Sequence, residues 1–430
     1  MRVGAARVDI TPPVGVKLGG FAARYKSSEG VHDNLFARAI YLGDDKTSLL
    51  LIAADIVEIS NEAAQKARRG LSQKLGMKED AIVVAATHTH SGPAPNPDIT
   101  SDVELDLNDR YSERFPSLLV EAGEKAAKSP VKAFSRCGTS HAEITYNRSI
   151  KGGPTDPQVI ALLFETESGE VIASLVNYAC HGVVLGASNY MISGDWMGQA
   201  TRAMEKSFGG NHVSVYVNAA TGDLNPLTCK GYGCFGTFED AQRFGIVVAN
   251  AALDGLKSSG VSRDPTIGLV SSSVTVKKVI PSLESAERLH DEQLKALEDA
   301  KKQGKDSETI RELEAATHYT GKNLKLVQTV RFDDSERVLL HGIKIGDAAF
   351  ATMPGEPVVK LGLELKSRSP FSPTGLISYA DGYSGYIPAR EDYERRGYES
   401  TPTWWNRLAP GTGEQLLEED LRLLGKLKQG

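Results

Sequence analysis

Short apolar runs punctuate the chain, most stopping at a glycine- or proline-containing turn before a stretch of helical spacing begins. Residues 35–42 and 49–57 flank Gly43-Asp44-Asp45-Lys46, which reads as a hairpin. Residues 82–86 predict a buried strand, as do 171–179, 213–218, 348–353 and 376–379. Helices are predicted over about 109–128, 198–208, 238–256, 358–367 and 413–428. Interleaved strands and helices point to an α/β fold, layered around a large mixed β-sheet with flanking helices. Residues 282–328 differ: they are charged, hold Tyr319 as their one aromatic, and carry Leu289, Leu294, Leu297, Ile310, Leu313 and Ala316 at helical spacing around Gly304-Lys305-Asp306. They predict a helical hairpin inserted into one domain spanning 1–430. Such a hairpin covers a site, makes a dimer contact, or is simply a solvated excursion.

Polar residues suited to chemistry fall just beyond the predicted strands. His88 and His90 follow 82–86, in Thr87-His88-Thr89-His90-Ser91-Gly92-Pro93. His181 follows 171–179, Gly222-Asp223-Leu224-Asn225-Pro226 follows 213–218, Glu356 follows 348–353, and Tyr383 and Tyr386 follow 376–379. In α/β sheets, ligands bind at the carboxyl ends of strands. Side chains repeat with period two in extended backbone, which places His88 and His90 on one face. Nitrogen and oxygen donors without thiolate suit a catalytic Zn²⁺ with an open position for water. Calcium or magnesium would call for more carboxylates and no imidazole. Plainer readings exist for each residue: a core histidine at 181, a helix-dipole partner at Glu356, a packed aromatic at Tyr386. Taken singly those readings are stronger; the shared placement favours a site.

The 430 residues are 40% hydrophobic and 24% charged, with net charge −6. No long Lys/Arg cluster is present, which argues against nucleic acid or an anionic membrane surface as partner. No apolar run approaches the roughly 18 residues of an integral membrane segment. The first residues lack a secretory pattern, so a cytoplasmic setting is expected. Cys137, Cys180, Cys229 and Cys234 are too few for a disulfide scaffold; Cys229 and Cys234 are close enough in sequence to pair or bind metal, but with no second Cys/His pair nearby reduced thiols are expected. Homo-oligomerisation is left open.

The ordered motifs resemble the neutral/alkaline, non-lysosomal ceramidase family. They are Asp9-Ile10-Thr11-Pro12-Pro13-Val14-Gly15, Gly30-Val31-His32-Asp33 with Ala37-Arg38-Ala39, and Ala86 through Pro93. Further on come Tyr146-Asn147-Arg148-Ser149, His181 with Ile192-Ser193-Gly194-Asp195, Pro354-Gly355-Glu356, and Tyr386 with Tyr398. The resemblance implies that His88, His181, Glu356 and Tyr386 hold Zn²⁺, and that His90, Arg148 and Tyr398 face the substrate amide. Gly385-Tyr386-Ile387-Pro388 and Gly397-Tyr398-Glu399 are spaced like the family's metal-binding and catalytic tyrosines, which favours Tyr386 over Tyr383. Asn225 stands where the family's Gly-Asp-x-Ser-Pro motif has its serine. An amide forms no acyl-enzyme, though it can donate a hydrogen bond to a carbonyl oxygen. The family's secreted members add an immunoglobulin-like C-terminal domain, whereas this chain is expected to be catalytic domain alone.

The expected function is amidase activity on a linear amide, by zinc-activated water, with a small-molecule or lipid-like substrate of sphingolipid metabolism. Two alternatives stand beside it: a zinc hydrolase of a soluble N-acyl compound, cyclic amide or ester, and a family member that binds zinc without turnover.

Overall fold

Strand Ile82–Ala86 is buried along its whole length because it separates two cores. Ile82, Val84 and Ala86 pack with Ala63, Ala67 and Leu71 of helix Asn61–Leu75 and Phe115 of helix Asp106–Ala127, while Val83 and Ala85 face the opposite way. The same division runs through strand Gln158–Glu165, where Ile160, Leu162 and Phe164 point to one core and Val159, Ala161 and Leu163 to another. Two-sided burial explains why these strands read as continuous apolar runs rather than as alternation.

The structure, a computed structural model, describes the chain except residues 22, 23, 25, 94–105, 210, 232, 263–265, 330, 404 and 430, and except the side chains of residues 106, 308, 311, 312 and 315. It is mixed α/β, as expected, with the strands distributed over several sheets. One sheet of five strands runs Ile82–Ala86, Ser48–Ala54, Phe36–Gly43, Arg2–Asp9, Val131–Lys132. A four-stranded sheet runs Val213–Asn218, Val171–Tyr178, Gln158–Glu165, Phe134–His141, and another runs Ile267–Lys277, Ser335–Ile345, Ala348–Thr352, Thr374–Ile377. The three turn their inner faces to a shared core that includes Leu51, Val83, Leu162, Val215, Ile343 and Phe350. Helices cover the outer faces; Trp196 and Met204 of helix Asp195–Phe208 pack on one sheet, and Leu361, Leu416 and Leu423 on another.

Each of these sheets contains one parallel pair: Ser48–Ala54 with Ile82–Ala86, Val171–Tyr178 with Val213–Asn218, and Ala348–Thr352 with Thr374–Ile377. Each pair is joined through a helix, Asn61–Leu75, Asp195–Phe208 and Val359–Arg368 respectively. Parallel neighbours need such a crossover, and their carboxyl ends then open on the same side. Three sheets therefore deliver six loops, and every predicted site residue except Arg148 and Tyr398 lies in or just beyond one of them.

Helices Leu283–Lys302 and Ser307–Thr329 fold against each other over the stretch read as a hairpin. No described helix is long and apolar enough to cross a membrane.

Candidate active site

His88 sits at the first turn beyond its strand with φ +70°, a left-handed conformation that costs a non-glycine residue energy and needs surrounding structure to hold it. The strand ends at Ala86, so period-two alternation is not what brings His88 and His90 together, contrary to the expectation from extended backbone. The bend at His88 does so, and places the two rings edge to face, 4.6 Å between centroids. Thr89 bridges Gly182 in parallel, which ties the first histidine loop to the loop of His181. A Cβ at Gly182 would lie 2.3 Å from the carbonyl oxygen of His88, and one at Gly20 would lie 2.2 Å from Nδ1 of His90. Only glycine permits either approach.

The rings are aimed by backbone carbonyls. His88 Nδ1 donates to the Val57 carbonyl at 2.7 Å, and His181 Nδ1 donates to the Thr221 carbonyl at 2.7 Å. With Nδ1 donating outward, Nε2 of each ring turns a lone pair inward, the usual arrangement behind a metal-ligating histidine. Glu356 Oε2 lies 3.0 Å from His181 Nε2 and 3.4 Å from His88 Nε2, and its Oε1 accepts from the Tyr383 hydroxyl at 2.5 Å. His181 Nε2 and Glu356 Oε2 are buried with no hydrogen-bond partner among the described residues. Inward-facing acceptors repel one another unless a cation lies between them. The donor set fits a divalent transition metal.

His90 joins the same cluster. Its Nε2 is 3.0 Å from His88 Nε2, and ligating nitrogens of His88, His90 and His181 lie within 4.8 Å of one another. Burial, followed by the neighbouring His88 and His181, holds its pKa well below the ordinary histidine value, and the ring is neutral at pH 7. Burial and then the Arg148 charge bring His181 down to about 4.

Arg148 is the second focus. Its Nε donates to Glu399 Oε1 at 3.0 Å, Nη1 to Asn225 Oδ1 at 3.1 Å, and Nη2 to the Gly222 carbonyl at 2.7 Å and the Tyr386 hydroxyl at 2.8 Å. Tyr386 pairs in parallel register with Glu356. Its hydroxyl meets Arg148, while Tyr383 meets the carboxylate. Tyr398 is 46% exposed, and its ring centroid is 5.6 Å from that of Tyr386 and within 5.8 Å of the Arg148 guanidinium carbon. Trp405 lies against both tyrosines and donates its indole N–H to Tyr319, which brings the helical hairpin to the edge of the site.

Asn225 is buried and held at both ends of its amide. Oδ1 accepts from Arg148, and Nδ2 donates to the Gly231 carbonyl at 3.0 Å. Its donor group is thus directed at the chain rather than toward a substrate oxygen. Cys229 and Cys234 form a disulfide, against the expectation of reduced thiols. Short strands Cys229–Lys230 and Gly233–Cys234 set the two cysteines directly opposite each other, a pairing that sequence separation alone does not reveal. The argument for a reducing compartment from free thiols therefore falls away.

Several contributors carried no signal in the chain. Val57 and Thr221 act through carbonyl groups, and Glu399 acts as the counter-ion of Arg148. Tyr379 stacks on His88 at 4.0 Å and shares a 2.7 Å hydrogen bond with the Thr221 hydroxyl. Tyr379 was visible only as the last residue of an apolar run.

Residues 1–99 match the family described as neutral/alkaline non-lysosomal ceramidase, N-terminal. A neutral ceramidase of Drosophila pseudoobscura is 24% identical over 252 residues, which are 52% of this chain and 36% of that protein. The match thus spans about a third of that relative's length. The fold is shared with the crystal structure of neutral ceramidase from Pseudomonas aeruginosa, TM-score 0.74 at 18% identity, over 100% of this chain and 74% of that one. A ceramidase complexed with C2 gives TM-score 0.73 at 17% identity, over 100% of this chain and 75% of that one. This chain is thus similar to the neutral/alkaline non-lysosomal ceramidases in its N-terminal region and across about half of its sequence, and it shares their fold over its whole length.

Proposed function

We propose that the protein is a zinc-dependent hydrolase of a linear N-acyl amide, of the kind its ceramidase relatives are named for. The observation that carries this reading is that His88 Nε2 and His181 Nε2 converge on Glu356 Oε2 at 3.4 and 3.0 Å, with His181 Nε2 and Glu356 Oε2 lacking a hydrogen-bond partner among the described residues. These three would hold the ion, with Tyr386 beside them as the fourth residue that the family pattern suggests. Zinc would there supply Lewis acidity, bringing the pKa of water from about 15.7 to about 7 and polarising a carbonyl.

The chain's own groups complete the chemistry. Arg148, charged and steadied by Glu399, stabilises the negative charge that develops on the substrate oxygen. Tyr398, half exposed beside it, lines the approach. His90, kept neutral by burial, receives the proton released as water attacks and passes it to the leaving nitrogen. Asn225 has no hydroxyl to acylate, which is consistent with direct attack by water.

A soluble substrate is the second reading, and one feature favours it. Asn225 stands where the ceramidase motif has its serine, a departure from the pattern of the enzymes that act on ceramide. A panel of fluorescent ceramide and short N-acyl amides, run before and after chelation, tests both readings. At least one of these amides is expected to be cleaved, with loss of turnover on chelation and recovery on adding zinc. Turnover that survives complete metal removal would overturn the zinc reading, and the preferred acyl chain decides between the two substrate classes.

A further inference from the structure

The Cys229–Cys234 hairpin meets the site through the Gly231 carbonyl and through Cys234 Sγ, which lies 4.0 Å from Asn225 Nδ2. The Gly231 carbonyl at its tip accepts from the Tyr146 hydroxyl at 2.9 Å and from Asn225 Nδ2 at 3.0 Å. Asn225 and Tyr146 are themselves opposite each other where strand Leu224–Pro226 pairs with Thr145–Asn147. From Asn225 the connection continues through Oδ1 to Arg148, and from Arg148 to the Tyr386 hydroxyl. The disulfide is mostly buried, packed with Val183, Phe21 and Tyr146, and the hairpin is also held by the Gly236 N–H donating to the Val184 carbonyl at 3.0 Å. Both cysteines and Asn225 thus belong to one strap that begins at the disulfide and ends at the guanidinium.

We propose that Asn225 is a positioning residue rather than a catalytic one: it suspends the Arg148 guanidinium from the disulfide-closed hairpin, so that closure of this hairpin sets the rate of turnover. The proposal rests on the reading of Arg148 as the group facing the substrate amide. Glu399, the Gly222 carbonyl and the Tyr386 hydroxyl still hold Nε and Nη2 when Asn225 is lost, so the charge stays paired while Nη1 loses the hydrogen bond that fixes the tilt of the guanidinium. Small errors in placing a catalytic group are costly; a displacement of about 1 Å can lower rates by about a hundredfold. Among the described residues Asn225 shares no hydrogen bond with His88, His181, Glu356 or Tyr386, so metal occupancy is a separate readout.

The test compares wild type, the double variant Cys229→Ser/Cys234→Ser, Asn225→Ala and the triple variant, all loaded with zinc. The best amide substrate from the panel above is used, together with wild type reduced by a phosphine that does not strip metal. Opening the hairpin is expected to lower kcat by about tenfold to a hundredfold with zinc still near one per chain. Asn225→Ala is expected to give a similar loss, and the triple variant no more than Asn225→Ala alone, since coupled sites are non-additive. Unchanged kcat on opening the hairpin, or losses that multiply, would overturn the proposal. If the double variant fails to fold, the reduced wild type decides. If wild type cleaves no amide, the function reading fails separately, and amide hydrogen exchange in residues 145–149 decides this one. Faster exchange on reduction supports the strap, and unchanged exchange refutes it.

Discussion

Replacing Arg148 by alanine lowers kcat by about a hundredfold to a thousandfold, some 2.7–4 kcal/mol of barrier, with bound zinc unchanged. The structural reason is that the guanidinium donates to Glu399, Asn225, the Gly222 carbonyl and the Tyr386 hydroxyl, and each bond fixes part of its aim. Glu399 is 3% exposed and loses its counter-ion in this variant. Breaking one side of a buried pair costs about 3–5 kcal/mol, so the melting temperature falls as well. Lysine does not rescue either effect, because a single ammonium cannot reproduce the planar fork that reaches these acceptors together. Steady-state kinetics, metal analysis and thermal unfolding on Arg148→Ala and Arg148→Lys check the prediction. Full activity in either variant would remove Arg148 from the chemistry.

His181→Ala is expected to show a different pattern: zinc content falls well below one per chain, and activity falls by about a thousandfold or more as activation of water is lost. His90→Ala provides the contrast. Its ring belongs to the same cluster, but the proposed role is proton transfer, whose loss typically costs about 10²–10⁴ in rate. It therefore keeps most of its zinc while losing activity. Metal analysis of the two variants side by side separates a holder of the ion from a carrier of protons. If His90→Ala lost its zinc as His181→Ala does, His90 would have to be counted among the ligands.

The apolar runs at 82–86, 171–179, 213–218 and 348–353 were legible because those strands are buried on both faces, which leaves little room for polar residues. Placement of His88, His181, Asn225 and Glu356 just past strand ends was legible for the same reason, since a polar residue there breaks the run. What joins these loops was not. The Val57 and Thr221 carbonyls that aim the imidazoles belong to backbone, and any residue type would supply them. The left-handed backbone at His88 is imposed by contacts with distant loops rather than by local preference. Arg148, Tyr398 and the choice of Tyr386 came from family resemblance, and the contact between Tyr383 and Glu356 came only from the folded chain. The cysteine reading failed because opposition across a two-residue strand pair depends on register, which spacing does not encode.

The central claim, that His88, His181 and Glu356 share one zinc ion, is tested most directly by anomalous diffraction at the zinc edge from crystals of the protein. One peak is predicted, bounded by Nε2 of His88, Nε2 of His181 and Oε2 of Glu356, at about 2.0–2.2 Å from each. No peak among these atoms in zinc-loaded crystals, with the rings hydrogen-bonded to one another instead, would contradict the account.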